Sequence, residues 1–353
     1  YYGGSNKLAT GWVSHTLFEP SVGNKILQEM TQIENVNIAF NAEYQSISKE
    51  NNLWIVDYQQ NRKLKTIKAK ILIDATEIGE LLPIVGADFR LGMDAKRDTG
   101  EKYAPEKANT IVQDLTYVAI LEDVGNSHNK KGLVKKPKGY NSEDFECCCK
   151  SKKNDLFGAV SDCQQMLNYA KLPTLLAQKS KGEIGNKFMI NWPNYGNDFY
   201  LNWPELSEIE RETKLRAVKN FTLGFVYYIQ NELGYKNLRL HNEFGTKDKL
   251  PFISYDREAR RVKGEIFLTV NHLENPYDYN LYKTGDVVGD YPIDHHHKKN
   301  ADAPKIDFIS IHVPSYNIPL GSLIPKGIDH FLVAEKNISV SNITNGTTRL
   351  QPV

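Results

Sequence analysis

Ile71-Leu72-Ile73-Asp74-Ala75-Thr76-Glu77-Ile78-Gly79-Glu80 is the stretch on which the fold turns. An apolar run over 69–73 ends in Asp-Ala-Thr, which sets small residues at the carboxyl edge of a sheet. Ligands of open α/β sheets bind at that edge, where the backbone lets a cofactor come close. A helix or turn containing Gly79 follows. Upstream, short β-rich runs predict strands at 35–40, 53–58 and 66–73, separated by polar turns at Asn51-Asn52 and 59–62. Before them a short helix is expected over Pro20–Met30, with Ile26, Leu27 and Met30 on its apolar side.

Downstream the pattern weakens between about 103 and 172. Gly, Lys, Pro and Ser crowd 123–153, which reads as an exposed insertion. The clearest helix spans 208–233. Ser207 and Glu210 form a capping box, in which the hydroxyl serves the N3 amide and the carboxylate reaches back. Leu215, Val218, Thr222, Phe225, Ile229 and Leu233 recur at helical spacing, and Gly234 supplies a left-handed stop. The aromatic stripe Phe221, Phe225, Tyr228 reads as packing. Strands are expected at 265–270 and at 331–335, the second after the turn Pro325-Lys326-Gly327.

The 353 residues are 40% hydrophobic and 25% charged, enough for a large core and two domains. A net charge of +1 argues for neither nucleic acid nor an acidic partner. Lys130, Lys131, Lys135, Lys136 and Lys138 read as a solvated loop, because no aromatic residue is interleaved for base stacking. No apolar run approaches the ~20 residues that span a bilayer. Cys147, Cys148, Cys149 and Cys163 fit neither zinc spacing nor a CxxC pair. The sequons at Asn220, Asn337, Asn342 and Asn345 read as chance matches, three crowded together and one in the core helix.

Four further stretches carry chemistry. Over 331–353 a strand delivers Ala334-Glu335-Lys336, a polar stretch follows to Asn345-Gly346, and Thr348-Arg349-Leu350-Gln351-Pro352 comes next. Such a segment presents backbone amides and one permanently charged guanidinium to a cofactor's polar edge or pyrophosphate; a turn with a surface arginine is the rival. In Tyr255-Asp256-Arg257-Glu258-Ala259-Arg260-Arg261 a strand would put Arg257 and Arg261 on one face and Arg260 on the other. One arginine can grip a carboxylate with Glu258 orienting it, or the run is a solvated charge cluster. In Gly289-Asp290-Tyr291-Pro292-Ile293-Asp294-His295-His296-His297, extended chain points His295 and His297 the same way. They can work as acid and base, pack, or, least of all, bind a metal with Asp290 or Asp294. Asn191-Trp192-Pro193 with 196–202 is rich in amides and aromatics, as pockets for hydroxylated ligands are, with turn formation the rival.

Taken in order, these stretches resemble the FAD-dependent oxidoreductases of the glutathione-reductase-like flavoprotein superfamily. The match is carried by Gly11-Trp12-Val13-Ser14-His15 with Phe18-Glu19-Pro20, by 73–79, and by Gly92-Met93-Asp94 with Gly100-Glu101. It continues through Asn191-Trp192-Pro193 with Gly196-Asn197-Asp198, then 257–261, 288–297 and 334–353. The resemblance implies an α/β fold, a Rossmann-like FAD-binding domain from 1–105 and 326–353 interrupted by an α+β substrate domain over 106–325. It implies that Asp74, Ala75, Thr76 and Gly79 lie near the cofactor's phosphates and ribose, and Arg349, Leu350, Gln351 and Pro352 beside the isoalloxazine. Two features of the family pattern have no counterpart: the opening Gly-x-Gly-x-x-Gly turn and the small-residue helix that faces the flavin beyond Val353. Both use helix N-termini against cofactor charge, and the chain reads as trimmed at both ends.

The function this implies is oxidation or reduction of a small polar substrate through FAD, with no metal. His295, His296 or His297 would handle the proton, and Arg257 and Arg260 would hold an anionic substrate or balance flavin charge. Two other functions stay open. One is a carbohydrate-active protein, for which paired carboxylates such as Asp198 and Glu205 would be needed. The other is a binding module that keeps the fold without the cofactor. The partner expected is a small molecule, neither nucleic acid nor membrane. Because such bacterial relatives are often exported, a periplasmic or secreted home is expected over a cytoplasmic one.

Overall fold

The computed structural model describes residues 1–8, 17–126, 130–145, 167, 170–173, 175, 185–191, 196–304 and 310–349. All four cysteines, the stretch 11–15, Trp192-Pro193 and Leu350-Gln351-Pro352 lie outside the described residues. The chain is mixed α/β and divides into two compact units.

The first unit comprises Tyr1–Val36, Leu115–Tyr200 and Ser207–Tyr255. Helix α1 (Pro20–Met30) lies where the sequence predicts it, with proline in its first turn. Its expected apolar side is not buried: Ile26, Leu27 and Met30 are 37%, 63% and 65% exposed. The helix is held at its start instead. Ser21 N–H donates to Glu243, Glu19 N–H to the Tyr2 hydroxyl, and Val22 is the buried apolar residue. Helix α2 (Glu208–Asn231) carries the predicted capping box and ends before a left-handed Gly234. Its buried face includes Val218, Thr222, Phe225 and Ile229. Phe145 packs on Phe221, Phe225 and Tyr228 at ring-centroid distances of 4.9, 5.4 and 5.8 Å, so the aromatic stripe is packing. Ser207→Ala is expected to lower unfolding free energy by about 1 kcal/mol, seen as a lower urea midpoint at unchanged slope.

An antiparallel sheet orders Leu238–Leu240, Ala119–Asp123 and Lys187–Ile190. The lysine-rich stretch has the exposed lysines expected of a loop, yet its backbone is tied down. Val134 N–H donates to the Gln230 side chain, whose amide donates to Gly132 and Leu238 carbonyls. The amide-rich stretch is built into the fold. Buried Asn197 donates to the carbonyls of Tyr117 and Ile190, and Asp198 accepts from the Thr116 hydroxyl.

The second unit comprises Asn37–Asp114, Leu201–Leu206 and Asp256–Val353. It opens with an antiparallel meander of β1 (Ala42–Glu50), β2 (Leu53–Gln60) and β3 (Lys63–Ala69). Both hairpins close through two residues with positive φ, Asn51-Asn52 and Asn61-Arg62. That turn geometry matches the twist of the flanking strands, and asparagine tolerates it. The strand expected at 35–40 is absent, and β1 follows it instead. Its sequence AEYQSISKE is polar on both faces and almost wholly exposed, so no apolar alternation marks it. Trp54 anchors the meander, buried against Phe331 at 5.9 Å with its indole N–H on the His330 carbonyl.

The run expected as one strand over 66–73 breaks after β3. The chain then enters β4 (Leu72–Asp74), which pairs in parallel with a strand remote in sequence, Phe331–Val333. The predicted strand at 331–335 therefore stops at Val333, where a 3-10 turn over Glu335–Asn337 begins. The strand expected at 265–270 is not formed. Thr269 caps a short helix, Val270–Glu274, together with His272, and that local capping wins over the β propensity of the run. In the arginine run only Arg261–Val262 is strand, paired with Phe89–Arg90. Arg257 and Arg261 are both buried, and Arg260 is partly exposed. The core of this unit gathers Trp54, Leu82, Val262, Leu268, Phe331, Val333, Val340 and Ile343 among its buried side chains. Among the described residues no helix is long and apolar enough to cross a membrane.

Candidate functional site

The candidate site lies in the second unit, where β5 (Ile293–Asp294), β6 (Phe331–Val333) and helix α3 (Asn342–Thr348) bring polar residues into the interior. Ser341 caps α3 by accepting from Thr344 N–H at 3.0 Å. Every residue of the helix is buried, including Asn342 and Asn345, which with buried Asn337 agrees with reading those sequons as chance. α3 reaches β5 because residue 346 is glycine. A Cβ there would lie 2.8 Å from the Asp294 carbonyl oxygen and 3.1 Å from His295 Cδ2. Gly346→Ala is therefore expected to lower stability by about 1–3 kcal/mol, read from thermal unfolding, as overpacked cores do.

One charged cluster centres on Arg261, which is fully buried. Its guanidinium donates to Asp94 Oδ2 and to the Val340 carbonyl, both at 2.8 Å, and to the Gly92 carbonyl. Glu258 Oε1 lies 3.4 Å away. Burial alone would lower the arginine, but Asp94 and Glu258 outweigh it and hold it charged. Burial raises Glu258, opposed by Arg261 and by the hydrogen bonds from Asn342 Nδ2 at 2.7 Å and Gln113 N–H. Gly92 is glycine of necessity: φ is 75°, and a Cβ would sit 2.5 Å from the Asn109 carbonyl oxygen. Glu101, also raised by burial, accepts from Val270 N–H at 2.8 Å and from the Ser341 hydroxyl.

The histidines form a second cluster beside α3. His295 and His297 do point the same way: their rings stack at 4.5 Å between centroids, with the two Nδ1 atoms 2.8 Å apart. His295 Nε2 lies 2.8 Å from the Asn342 carbonyl oxygen. Burial depresses His295 to about 3 and His297 well below the usual imidazole range. His296 turns elsewhere, to Asp294 Oδ2 at 3.0 Å. Asp294 also meets Arg349 Nη2 at 3.4 Å. Burial pushes Asp294 up, but the charge and hydrogen bond of His296, with Arg349 and Arg257, outweigh it and hold the carboxyl at about 2. The two Nδ1 atoms thus face each other, and Asp294 is engaged by His296 and Arg349. Among the described residues no group of three or more His, Cys, Asp or Glu is arranged to hold an ion.

Arg257, His295, His296, His297 and Arg349 are thus brought together around Asp294 and α3. Arg257 donates to the Asp114 carbonyl at 2.8 Å, and its own carbonyl accepts from Asn345. Arg260 stands apart from the histidines. It donates to the carbonyls of Ile78 and Pro204 and lies over the Phe89 ring, beside Gly79.

The Asp-Ala-Thr turn follows β4 as the sequence implies. Asp74 is buried, and its carboxylate accepts from Thr76 N–H, the Thr76 hydroxyl and Leu81 N–H. That leaves Ala75 exposed and Thr76 half-exposed at the carboxyl edge of the parallel pair. Asn337 crosses from the β6 side to donate to the Thr76 carbonyl at 2.7 Å. Sequence reasoning gave no role to Arg261, Asp94, Glu101 or Asn342. Asp94 and Glu101 do stand inside Gly92-Met93-Asp94 and Gly100-Glu101, and nothing local separates Arg261 from Arg260.

A model of the family described as FAD dependent oxidoreductase matches residues 2–353. No curated protein matches the chain. Among solved structures the chain is similar to CabE, an aromatic hydroxylase from angucycline biosynthesis, at 7% identity and a TM-score of 0.24. The similarity covers 64% of this chain and 30% of CabE, and at that score it carries no argument. The match across nearly the whole length of the chain decides the assignment: the protein belongs to the FAD-dependent oxidoreductases, enzymes whose cofactor is FAD.

Proposed function

We propose that this protein oxidises or reduces a small polar substrate by hydride transfer with FAD. The single observation that carries the reading is the cluster of buried His295, His297, Arg257 and Arg349 with half-buried Asp294 against α3. In this reading 1–105 and 326–353 supply a Rossmann-like FAD-binding domain, and 106–325 the inserted substrate domain. The parallel pairing of β4 with β6, which joins residues 72–74 to 331–333, supports bringing those two segments into one domain, while the compact units place 1–36 apart from them and 256–325 with them.

The residues present fit FAD by their chemistry. His297 Nε2, Asn337 Oδ1 and Asn345 Oδ1 are buried side-chain atoms without a hydrogen-bond partner. The asparagine oxygens are acceptors, and a neutral imidazole offers one acceptor nitrogen, which suits a group that carries hydroxyl and N–H donors. Asp74 shapes the turn that exposes Ala75 and Thr76, which with Gly79 would hold the cofactor's phosphates and ribose. Arg349, with Leu350, Gln351 and Pro352, would hold the isoalloxazine. FAD supplies the hydride chemistry when bound. The chain's own part is to bind, orient and manage a proton. Arg257 and Arg349 balance negative charge, Arg260 braces the Gly79 turn, and the histidines exchange the proton.

The test is anaerobic mixing of the FAD-loaded protein with a panel of small alcohols, hydroxy acids and sugars. One class is expected to bleach the flavin bands, and His297→Gln to slow bleaching by about 10²–10⁴-fold. Release of a sugar product without any electron acceptor would overturn the reading in favour of carbohydrate cleavage. No observation favours that alternative: Asp198 is buried and accepts from the Thr116 hydroxyl.

A further inference from the structure

Three groups in a row, the Asn342 carbonyl, His295 and His297, fix where the protons of the histidine pair sit. The Asn342 carbonyl oxygen, 2.8 Å from His295 Nε2, can only accept, so His295 Nε2 carries a hydrogen. A neutral imidazole has one N–H, so His295 Nδ1 is then a bare acceptor. His297 Nδ1, 2.8 Å from it, must therefore be the donor. That leaves His297 Nε2 as a lone pair. His297 is 7% exposed, and this nitrogen is buried with no hydrogen-bond partner. A buried acceptor left unmatched is destabilising, which makes it a place prepared for a donor. Resting on the oxidoreductase reading, we propose that Asn342 and His295 are positioning residues that lock His297 with its Nε2 bare, as the acceptor for a neutral substrate hydroxyl or N–H.

The arrangement has physical support on each side. A flip of the His297 ring would lose the 2.8 Å contact between the two Nδ1 atoms. Burial, then Arg349 and His296, keep His295 uncharged, outweighing the Asn342 hydrogen bond and Asp294, which act the other way. Burial and the neighbouring His295 and His296 keep His297 uncharged as well. A carboxylate or phosphate oxygen would meet lone pair against lone pair at Nε2, whereas an alcohol or amine brings the missing hydrogen. The ligand class is therefore a neutral hydrogen-bond donor.

The tautomers can be read directly from long-range ¹H–¹⁵N spectra of protein labelled at histidine, with the nine histidines assigned through His297→Gln and His295→Phe. The expected result is a protonated Nδ1 and bare Nε2 on His297, with the reverse on His295. In His295→Phe the His297 signals are expected to move toward a mixture of tautomers. A protonated Nε2 on His297 in the unsubstituted protein overturns the proposal, whether or not the variant folds. So does a His297 tautomer unchanged in a folded His295→Phe. Glycerol is expected to shift the His297 Nε2 signal and acetate to leave it in place; any other pattern overturns the ligand class. The spectra need no flavin. The relay can fail while the oxidoreductase reading stands, and a protein that bound no FAD would sink that reading while leaving the tautomers measurable.

Discussion

Arg261→Leu is expected to lower unfolding free energy by about 3–5 kcal/mol, the largest effect of any single change considered. The cause is what the arginine leaves behind. Asp94 keeps a backbone bond from Asn342 and a distant Arg90, and Glu258 keeps Gln113 and Asn342, but both lose their buried counter-charge. Three carbonyl and carboxylate acceptors lose donors at once, at Gly92, Val340 and Asp94. Lysine restores one charge but not the planar fork, so Arg261→Lys should recover only part of the loss. Adding Glu258→Gln to Arg261→Leu removes one stranded charge and should recover stability beyond the sum of the two single changes. Equilibrium urea unfolding of Arg261→Leu, Arg261→Lys, Glu258→Gln and the double variant checks these expectations. A loss below about 1 kcal/mol for Arg261→Leu would show that the cluster contributes nothing special.

The second large effect is acid lability from the histidine pair. His295 is held at about 3 against an ordinary value of 6.5, so the folded state refuses a proton that the unfolded state takes up. Between those values the unfolded chain binds more protons, and stability rises with pH. The contribution is full above the unfolded value and falls as pH drops from 6.5 toward 3. From pH 7 to pH 5, His295 alone should remove roughly 2 kcal/mol. His297, also depressed, acts in the same direction. Glu101 and Glu258, raised by burial, act in the opposite one, since the folded state takes their protons first. Asp294, held at about 2, adds its own loss only as pH falls from 3.8 through that value. The groups facing His295 are His296, His297, Arg349 and Asp294, so the clean measure is a difference. Thermal unfolding of His295→Phe should vary less between pH 7 and pH 5 than that of the unsubstituted protein. Equal slopes would show that His295 titrates normally in the fold.

The first of these effects involves a residue to which sequence alone gave no role, and the reason is physical. Features set by neighbours in the chain were legible: the cap of α2, the extent of α1, the hairpin turns after β1 and β2, and the end of β4 in Asp-Ala-Thr. The shared direction of His295 and His297 was legible too, because it follows from extended backbone. What failed depends on contacts distant in sequence. β1 is polar on both faces and so carries no periodic signal. Ile26, Leu27 and Met30 have helical spacing, yet the buried contacts of α1 lie in its first turn. Three arginines within five residues look alike until Asp94, 167 positions from Arg261, selects one of them. Asn342 acts on His295 through its backbone carbonyl, which no side-chain motif can announce.

The central claim is that this fold holds FAD and uses it. The most direct measurement is titration of the purified protein with FAD, followed by visible absorbance and by flavin fluorescence after removal of free cofactor. The account predicts retained flavin with shifted bands, and weaker retention in Arg349→Ala, which removes a buried guanidinium beside Asp294. Protein that retains no flavin after FAD is added in excess would contradict it.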